Sequence, residues 1–143
     1  MRSETPKHLH PLLGRRMVDW VIKAARGLDP SPLVVVTSPD QSEAFDGVDV
    51  AVQQEPRGTG DAAAAAQEAL SGFDGDVLVV SGDAAAIRSE SLERLLETHR
   101  REQAAATVLS FDRERPGDYG RIVRGPGGEL GASVHAHFRV VVV

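Results

Sequence analysis

Two short segments carry side chains typical of ligand binding, and each follows a run of β-branched residues. The first runs from Gln53 to Gly60, and its glycines let backbone N–H groups approach a ligand closely beside the hydroxyl of Thr59. Gln53 presents a donor and an acceptor in one planar amide, which can pair with the edge of a nucleobase. Taken alone, a Gly-Thr-Gly loop is more often a plain turn.

The second segment is Ser81-Gly82-Asp83, which directly follows an apolar run at residues 77–80. A carboxylate in this place is a natural ligand for a Mg²⁺ ion that also holds phosphates. The same triplet is equally typical of a helix cap or a solvated turn, so the segment alone does not decide between these interpretations.

Other polar side chains give weaker signals. Lys7 offers a compact positive charge that can lie against a triphosphate, although a surface lysine is the ordinary interpretation. His8 with His10, and His135 with His137, have a spacing that could bind a metal on a strand. No obvious further ligand completes either pair, so we do not expect a metal site there.

The apolar pattern alternates between the helical and the strand period. It predicts helices at residues 17–28, 61–70 and 89–103, the last capped by Ser89, strands at 33–37, 48–53, 77–80 and 106–111, and short β pieces at 120–123 and 129–134. Such alternation favours a largely parallel sheet with helices on both faces. Ligands bind beyond the carboxyl ends of such strands, and both candidate segments follow a predicted strand.

Composition bounds the class of protein. The chain has 143 residues, of which 41% are hydrophobic and 26% charged, as expected for one soluble globular domain. The absence of cysteine excludes disulfides and thiolate metal sites. The formal net charge of −5 provides no electrostatic footprint for nucleic acid or an anionic membrane, so we expect neither as a partner. With no apolar run of about 20 residues and no secretion signal, the expected location is cytoplasmic.

Several motifs in order resemble one enzyme family. The blocks are Ser3-Glu4-Thr5-Pro6-Lys7 with Leu9-His10-Pro11-Leu12, then residues 53–62, 76–83, 92–111 and 119–124. Together they resemble the pyrophosphorylase domain, a MobA-like NTP transferase, of bacterial bifunctional N-acetylglucosamine-1-phosphate uridylyltransferase and glucosamine-1-phosphate acetyltransferase. The resemblance extends to about Val134.

The resemblance implies a reaction and a base-reading turn. A sugar phosphate, N-acetylglucosamine 1-phosphate, attacks the α-phosphorus of UTP and displaces pyrophosphate, giving UDP-N-acetylglucosamine for peptidoglycan precursors. The protein supplies positioning and charge neutralisation. By matching position, Gln53 reads the uracil, and Gly58 and Thr59 complete the pocket.

The same resemblance implies roles for the remaining site residues. Asp83 is expected to hold the Mg²⁺ ion, and Lys7 to offset charge that develops on the phosphates. Ser81 and Gly82 are expected to line the nucleotide site, and Gly120 to let the chain approach the amino sugar.

The chain departs from the family at both ends. Met1 aligns just after the family's first strand and glycine-rich loop, so the expected fold is a Rossmann-like nucleotidyltransferase sheet with helices on both faces, its first strand and glycine-rich loop missing. That strand would lie between residues 33–37 and 77–80, and its absence leaves buried backbone edges unpaired.

Further departures lie at single positions and in the tail. Arg16 replaces a proline, Ala84-Ala85-Ala86 follows Asp83, and His135 stands where the family has a sugar-contacting glutamate. We therefore divide the chain into a partial nucleotidyltransferase domain, 1–134, and a divergent tail, 135–143. Residues 138–143 have strong β propensity, and we expect them to pair with an exposed edge or to drive aggregation.

Three functional alternatives follow. The chain as given is expected to be an inactive fragment of a uridylyltransferase, unless a true start lies upstream. A related sugar-phosphate or molybdopterin nucleotidyltransferase is the second interpretation. A non-catalytic module that keeps only uridine-nucleotide binding is the third. The sequence makes no prediction of oligomeric state.

Overall fold

A computed structural model describes residues 5–55, 57–115, 117, 121–128, 130–134 and 140–142. Its helices are α1 (Met17–Arg26), α2 (Thr59–Ala65) and α3 (Ser89–Arg101). Its strands are β1 (Pro11–Leu12), β2 (Arg15–Arg16), β3 (Val34–Thr37), β4 (Asp49–Val52), β5 (Val79–Ser81), β6 (Arg121–Arg124), β7 (Leu130–Val134) and β8 (Val140–Val142). None of the helices in this part of the chain has the length and apolar character needed to cross a membrane.

The main sheet has four strands in the order β4-β3-β8-β5. β4 is parallel to β3, whereas β8 is antiparallel to both β3 and β5. The three strands β3, β4 and β5 therefore run in one direction, as the alternating pattern predicted, and the sheet as a whole is mixed. Two small antiparallel pairs, β1-β2 and β6-β7, lie outside it.

The position of β8 confirms the hypothesis that the valine-rich tail pairs with an exposed sheet edge. Val142 and Val141 are opposite Val34 and Val35 of β3, and β8 pairs with all three residues of β5. It lies between the two strands that were expected to flank the family's first strand. Because each unpaired polar group in a buried sheet costs about 1–3 kcal/mol, this pairing contributes to stability.

Successive residues of β3 pack against different helices. Val35 belongs to a core cluster with Val18 of α1 and Leu92 of α3. Val34 belongs to a second cluster with Ala62 and Ala66, in and just after α2. This alternation is the period of two that a strand imposes, so the sheet has apolar contacts on both sides of β3. Val34 is 0% exposed and Val35 is 1% exposed, so both are fully buried.

The predicted strand at residues 106–111 is wrong. The structure gives this segment no strand pairing, and Val108, Leu109 and Phe111 are 52–67% exposed. Among the described residues, β5 at the edge of the main sheet pairs only with β8. High β propensity reflects how well a side chain packs against neighbouring strands, so a segment with this propensity does not form a strand when no other strand pairs with it.

The boundaries of two predicted helices also need correction. Ser89 does not cap α3 but is its first residue, after Arg88, and its hydroxyl donates to the carbonyl oxygen of Ala24 at 2.8 Å. Gly27 lies so close to Ser89 that a Cβ there would clash with its side chain. The predicted helix at 61–70 ends at Ala65, and turns follow it.

The start of α1 is held by an ion pair within its first turn. Arg16 donates through Nε and Nη2 to the two carboxylate oxygens of Asp19, at 2.9 and 2.7 Å, and its backbone N–H also bonds this carboxylate. The guanidinium lies 5.2 Å from the ring centre of Phe45 and donates to the carbonyl of Ala44. Arg16, the departure from the family's proline, therefore ties α1 to the segment before β4.

We expect Val141→Pro to destabilise the protein by on the order of 2 kcal/mol, because proline removes an N–H from a strand paired on both sides. Urea unfolding followed by circular dichroism measures the loss. Val141→Thr is the matched control, since it keeps both the N–H and the β-branched side chain. Equal unfolding midpoints for the two variants would show that β8 contributes no pairing.

A second prediction concerns pH. The pKa of Asp19 is lowered, chiefly by the hydrogen bond from the Arg16 side chain. Burial of Asp19 acts in the opposite direction, and the positive charge of Arg16 adds to the lowering. This stabilisation is therefore present above the unfolded pKa of about 3.9 and is lost as pH falls through the lower folded pKa. Asp19→Asn should destabilise by about 0.5–1 kcal/mol near neutral pH.

The difference from wild type in urea titrations should shrink as the pH falls below the unfolded pKa of about 3.9 and through the lower folded pKa. Asp74→Asn, in the loop before β5, provides a control for removing one carboxylate. An Asp19→Asn difference that stays constant with pH would contradict the assignment of the stabilisation to this carboxylate.

Candidate functional site

The two candidate segments lie at the same edge of the main sheet. Residues that face each other across the four strands form one row: Val50, Val35, Val141 and Val80. Gln53 and Asp83 each come three residues after their member of this row. Since β4 and β5 run in the same direction, both residues lie beyond the carboxyl ends of their strands. The two strands are three spacings of about 4.8 Å apart, or about 14 Å.

Asp83 is held by two side chains from different parts of the chain. Lys7 Nζ lies 2.7 Å from Oδ2, and the Ser81 hydroxyl donates to Oδ1 at 2.6 Å. Gly82, between them in sequence, is buried, and the Ala84 N–H closes the turn onto the Ser81 carbonyl at 3.0 Å. The turn is thus closed by a backbone hydrogen bond despite the alanines after Asp83.

The charge at this carboxylate is compensated. Burial raises the pKa of Asp83, but the hydrogen bonds from Lys7 and Ser81, together with the Lys7 charge, hold it below its ordinary value. Asp83 is therefore ionised at neutral pH. Its side chain is 31% exposed and that of Lys7 is 60% exposed, so solvent reaches the pair and screens it.

Lys7 reaches Asp83 from a 3-10 turn, Lys7–Leu9, near the start of the described chain. The turn is anchored by buried His8 and by the N–H of Met17, which bonds the carbonyl of His10. The Nε2 of His10 lies 3.0 Å from the carbonyl oxygen of Thr5. These contacts place the ammonium of Lys7 beside the carboxyl end of β5.

Gln53 is fixed by a second set of contacts. Its backbone N–H extends the parallel pairing by bonding Thr37 O at 2.8 Å. Its side-chain Nε2 donates to Asp61 Oδ2 at 2.7 Å and to Gly58 O at 3.3 Å. Thr59 is the first residue of α2. Gly58 has φ of +119°, in the range that glycine tolerates best, so a side chain at this position would strain the turn.

The predicted site residues thus form two groups. Lys7 and Ser81 both contact Asp83, and Gly82 lies in the same turn. Gln53 contacts Gly58, and Thr59 follows Gly58 in sequence. Gly120, the His135 position and the His135/His137 pair lie outside the described residues. Asp61, in the first turn of α2, was not among the predicted site residues. Its contact with Gln53 follows from the folded arrangement of the turn and has no signal in the sequence.

The ligand set suits one kind of metal ion. No group of three or more His, Asp or Glu side chains able to hold a metal occurs among the described residues. Asp83 is a single carboxylate at the sheet edge, and Mg²⁺ is commonly bound by one or two carboxylates plus substrate phosphates and water. The residues present therefore fit Mg²⁺ that arrives with a phosphorylated ligand, rather than a cage made by protein alone.

A cleft of about 640 Å³ lies at the opposite edge of the sheet, near the amino ends of β3 and β4. Arg26, Leu33 and Asp49 contribute to its lining, and none of the predicted site residues does. Because ligands of parallel α/β sheets bind beyond the carboxyl ends, the edge with Gln53 and Asp83 is the better candidate.

Comparison with known proteins identifies the family of the chain. The family described as the MobA-like NTP transferase domain matches residues 1–138. Bifunctional protein GlmU of Pelobacter propionicus is 43% identical over 137 residues, covering 91% of this chain and 30% of the relative. The protein of the same name from Cutibacterium acnes is 43% identical over 142 residues, covering 94% and 34%. That of Corynebacterium aurimucosum is 39% identical over 145 residues, covering 94% and 30%.

The chain thus spans about a third of the length of the curated relatives that it matches. Over that third the similarity includes both segments that the sheet brings to one edge. This chain belongs to the MobA-like NTP transferase domain family.

Proposed function

We propose that the chain binds UTP with Mg²⁺ at the edge defined by Gln53 and Asp83, as the nucleotide site of a uridylyltransferase that acts on N-acetylglucosamine 1-phosphate. The observation that carries this proposal is the placement of an amide and a carboxylate beyond the carboxyl ends of two strands, β4 and β5, that run in the same direction about 14 Å apart. An extended nucleoside triphosphate covers a span of that order between its base and its phosphates.

The two groups divide the recognition between them. Gln53, steadied by Gly58 at the turn into α2, faces the base. Asp83 and Lys7 face the phosphates, where Asp83 would hold Mg²⁺ together with phosphate oxygens, and the bound ion would supply neutralisation of their negative charge. Ser81 keeps the Asp83 carboxylate oriented by donating to Oδ1. Part of a Rossmann-like sheet, with helices on both faces, would carry all of these residues.

The reaction proposed for this site is an in-line displacement. A phosphate oxygen of N-acetylglucosamine 1-phosphate forms a bond to the α-phosphorus of UTP, and the bond to the bridging oxygen breaks, releasing pyrophosphate. Lys7 is expected to move from Asp83 towards the phosphates, because a lysine ammonium is a flexible point charge. Alignment and charge stabilisation supply the rate enhancement, and no covalent intermediate with the protein is needed.

The central test is nucleotide binding measured by calorimetry with and without Mg²⁺. We expect wild type to bind UTP more tightly with Mg²⁺, and Asp83→Ala to abolish this dependence. Asp74→Ala, which removes a carboxylate from the loop before β5, should leave it intact. Equal Mg²⁺ dependence in wild type and Asp83→Ala would remove Asp83 from the proposed role.

Turnover then separates catalysis from binding. Pyrophosphate release from UTP with N-acetylglucosamine 1-phosphate supports transfer by the chain as given. UTP binding without release supports the alternative of a non-catalytic uridine-nucleotide module.

A further prediction concerns the competition between Lys7 and Mg²⁺ for Asp83. Lys7→Met removes the ammonium from Oδ2, so the pKa of Asp83 should rise and less Mg²⁺ should be needed to perturb its carboxyl signal. An exposed pair of this kind is worth about 0.2–1 kcal/mol, which limits the gain in Mg²⁺ affinity to about fivefold.

Carboxyl ¹³C NMR measures both quantities, and Lys23→Met is the control because the Lys23 ammonium lies against Trp20. A Lys7→Met variant that needs more Mg²⁺ than wild type would contradict the competition.

A further inference from the structure

The orientation of the Gln53 amide is set by the chemistry of its partners. Nε2 donates to Asp61 Oδ2 at 2.7 Å and to Gly58 O at 3.3 Å. An ionised carboxylate and a peptide carbonyl can only accept hydrogen bonds, so the amide cannot be turned around without placing its oxygen against both. The NH₂ group therefore faces the first turn of α2.

This orientation leaves Oε1 as the group that Gln53 presents to a ligand. Among the described residues, none donates a hydrogen bond to it, and the side chain is only partly buried. A carbonyl oxygen accepts and does not donate. Gln53 in this state pairs with an N–H group of a base and opposes a ring nitrogen that carries a lone pair.

We propose that Asp61 is the specificity-determining positioning residue of the base site, because it locks Gln53 so that an acceptor oxygen faces N3 of a pyrimidine and favours a base with an N–H at that position. Uracil and thymine carry such an N–H at N3, whereas N3 of cytosine is an acceptor. The identity of the ligand in this inference rests on the proposed function, whereas the hydrogen bond between Gln53 and Asp61 is seen in the structure. Asp61 acts through Gln53 and does not itself contact the nucleotide.

The strength of the lock follows from charge. A hydrogen bond to an ionised group is stronger than one between neutral groups, and Asp61 supplies the ionised partner. A neutral amide at position 61 can present either its oxygen or its NH₂, so it permits both orientations of Gln53. Asp61→Asn therefore removes the selection while changing few atoms.

Nucleotide selectivity gives the first test. Wild type should bind Mg²⁺-UTP at least about tenfold more tightly than Mg²⁺-CTP, and Asp61→Asn should reduce this ratio to about threefold or less. Asp49→Asn is the control, because it removes one exposed carboxylate at the opposite end of β4. A purely structural role for Asp61 would weaken binding of both nucleotides equally, and an unchanged UTP/CTP ratio in Asp61→Asn would overturn the inference.

The side-chain amide of Gln53 gives a second test that needs no nucleotide. In ¹⁵N-labelled wild type, a Gln53 Nε2 proton should be shifted downfield by the carboxylate, and Asp61→Asn, but not Asp49→Asn, should return it towards the random-coil position. A random-coil signal in wild type would overturn the inference. Failure of the proposed function is distinguishable, because there wild type keeps the downfield proton and binds no UTP.

Discussion

Backbone pairing of β8 with both of its neighbours is the interaction on which the site depends. β4 is joined to β3, and together they carry Gln53, while β5 carries Asp83. Within the described sheet, the only hydrogen-bonded connection between these two parts runs through β8. The lateral separation of the strands that precede Gln53 and Asp83 is therefore the sum of the two spacings that flank β8 and the spacing between β3 and β4.

The two halves of the site share one design, in which a carboxylate organises a neighbouring polar side chain. Asp83 holds the ammonium of Lys7, and Asp61 holds the amide of Gln53, each at 2.7 Å. They differ in what a ligand must do. In the proposed site, a base can contact Gln53 without breaking its bond to Asp61, whereas a cation at Asp83 Oδ2 competes with Lys7 for that oxygen. On this proposal the base half is preorganised, and the phosphate half rearranges when its ligand binds.

Much of the fold is predictable from local pattern. The β-branched run at residues 33–37 and the helical spacing from Met17 both produced the expected element, because each presents apolar side chains with the period of that element. The order of motifs also indicated the family, and the placement of Gln53 and Asp83 after parallel strands follows from the alternation of strand and helix.

What sequence did not reveal depends on partners distant along the chain. The segment 106–111 has the composition of a strand, yet in this structure it pairs with no described strand. Ser89 is a residue type that commonly caps helices, but its hydroxyl donates to the carbonyl oxygen of Ala24, 65 residues earlier. The Lys7–Asp83 pair joins residues 76 positions apart. Local propensity depends on neighbouring residues in the sequence, so it cannot predict contacts between residues this far apart, and they follow only from the tertiary structure.

The relative height of β3 and β5 is set by packing as well as by the pairing of β8. Consecutive valines carry no alternation of apolar and polar residues, so a shift of β8 by one position changes little in its pattern, and the strand specifies its own register weakly. Val35 and Val80, in contrast, belong to one core cluster with Val18 and Leu92. Packing against α1 and α3 thus sets the height of β3 relative to β5. The valine strand supplies backbone partners and lateral spacing, and the core supplies the register of the strands that lead to Gln53 and Asp83.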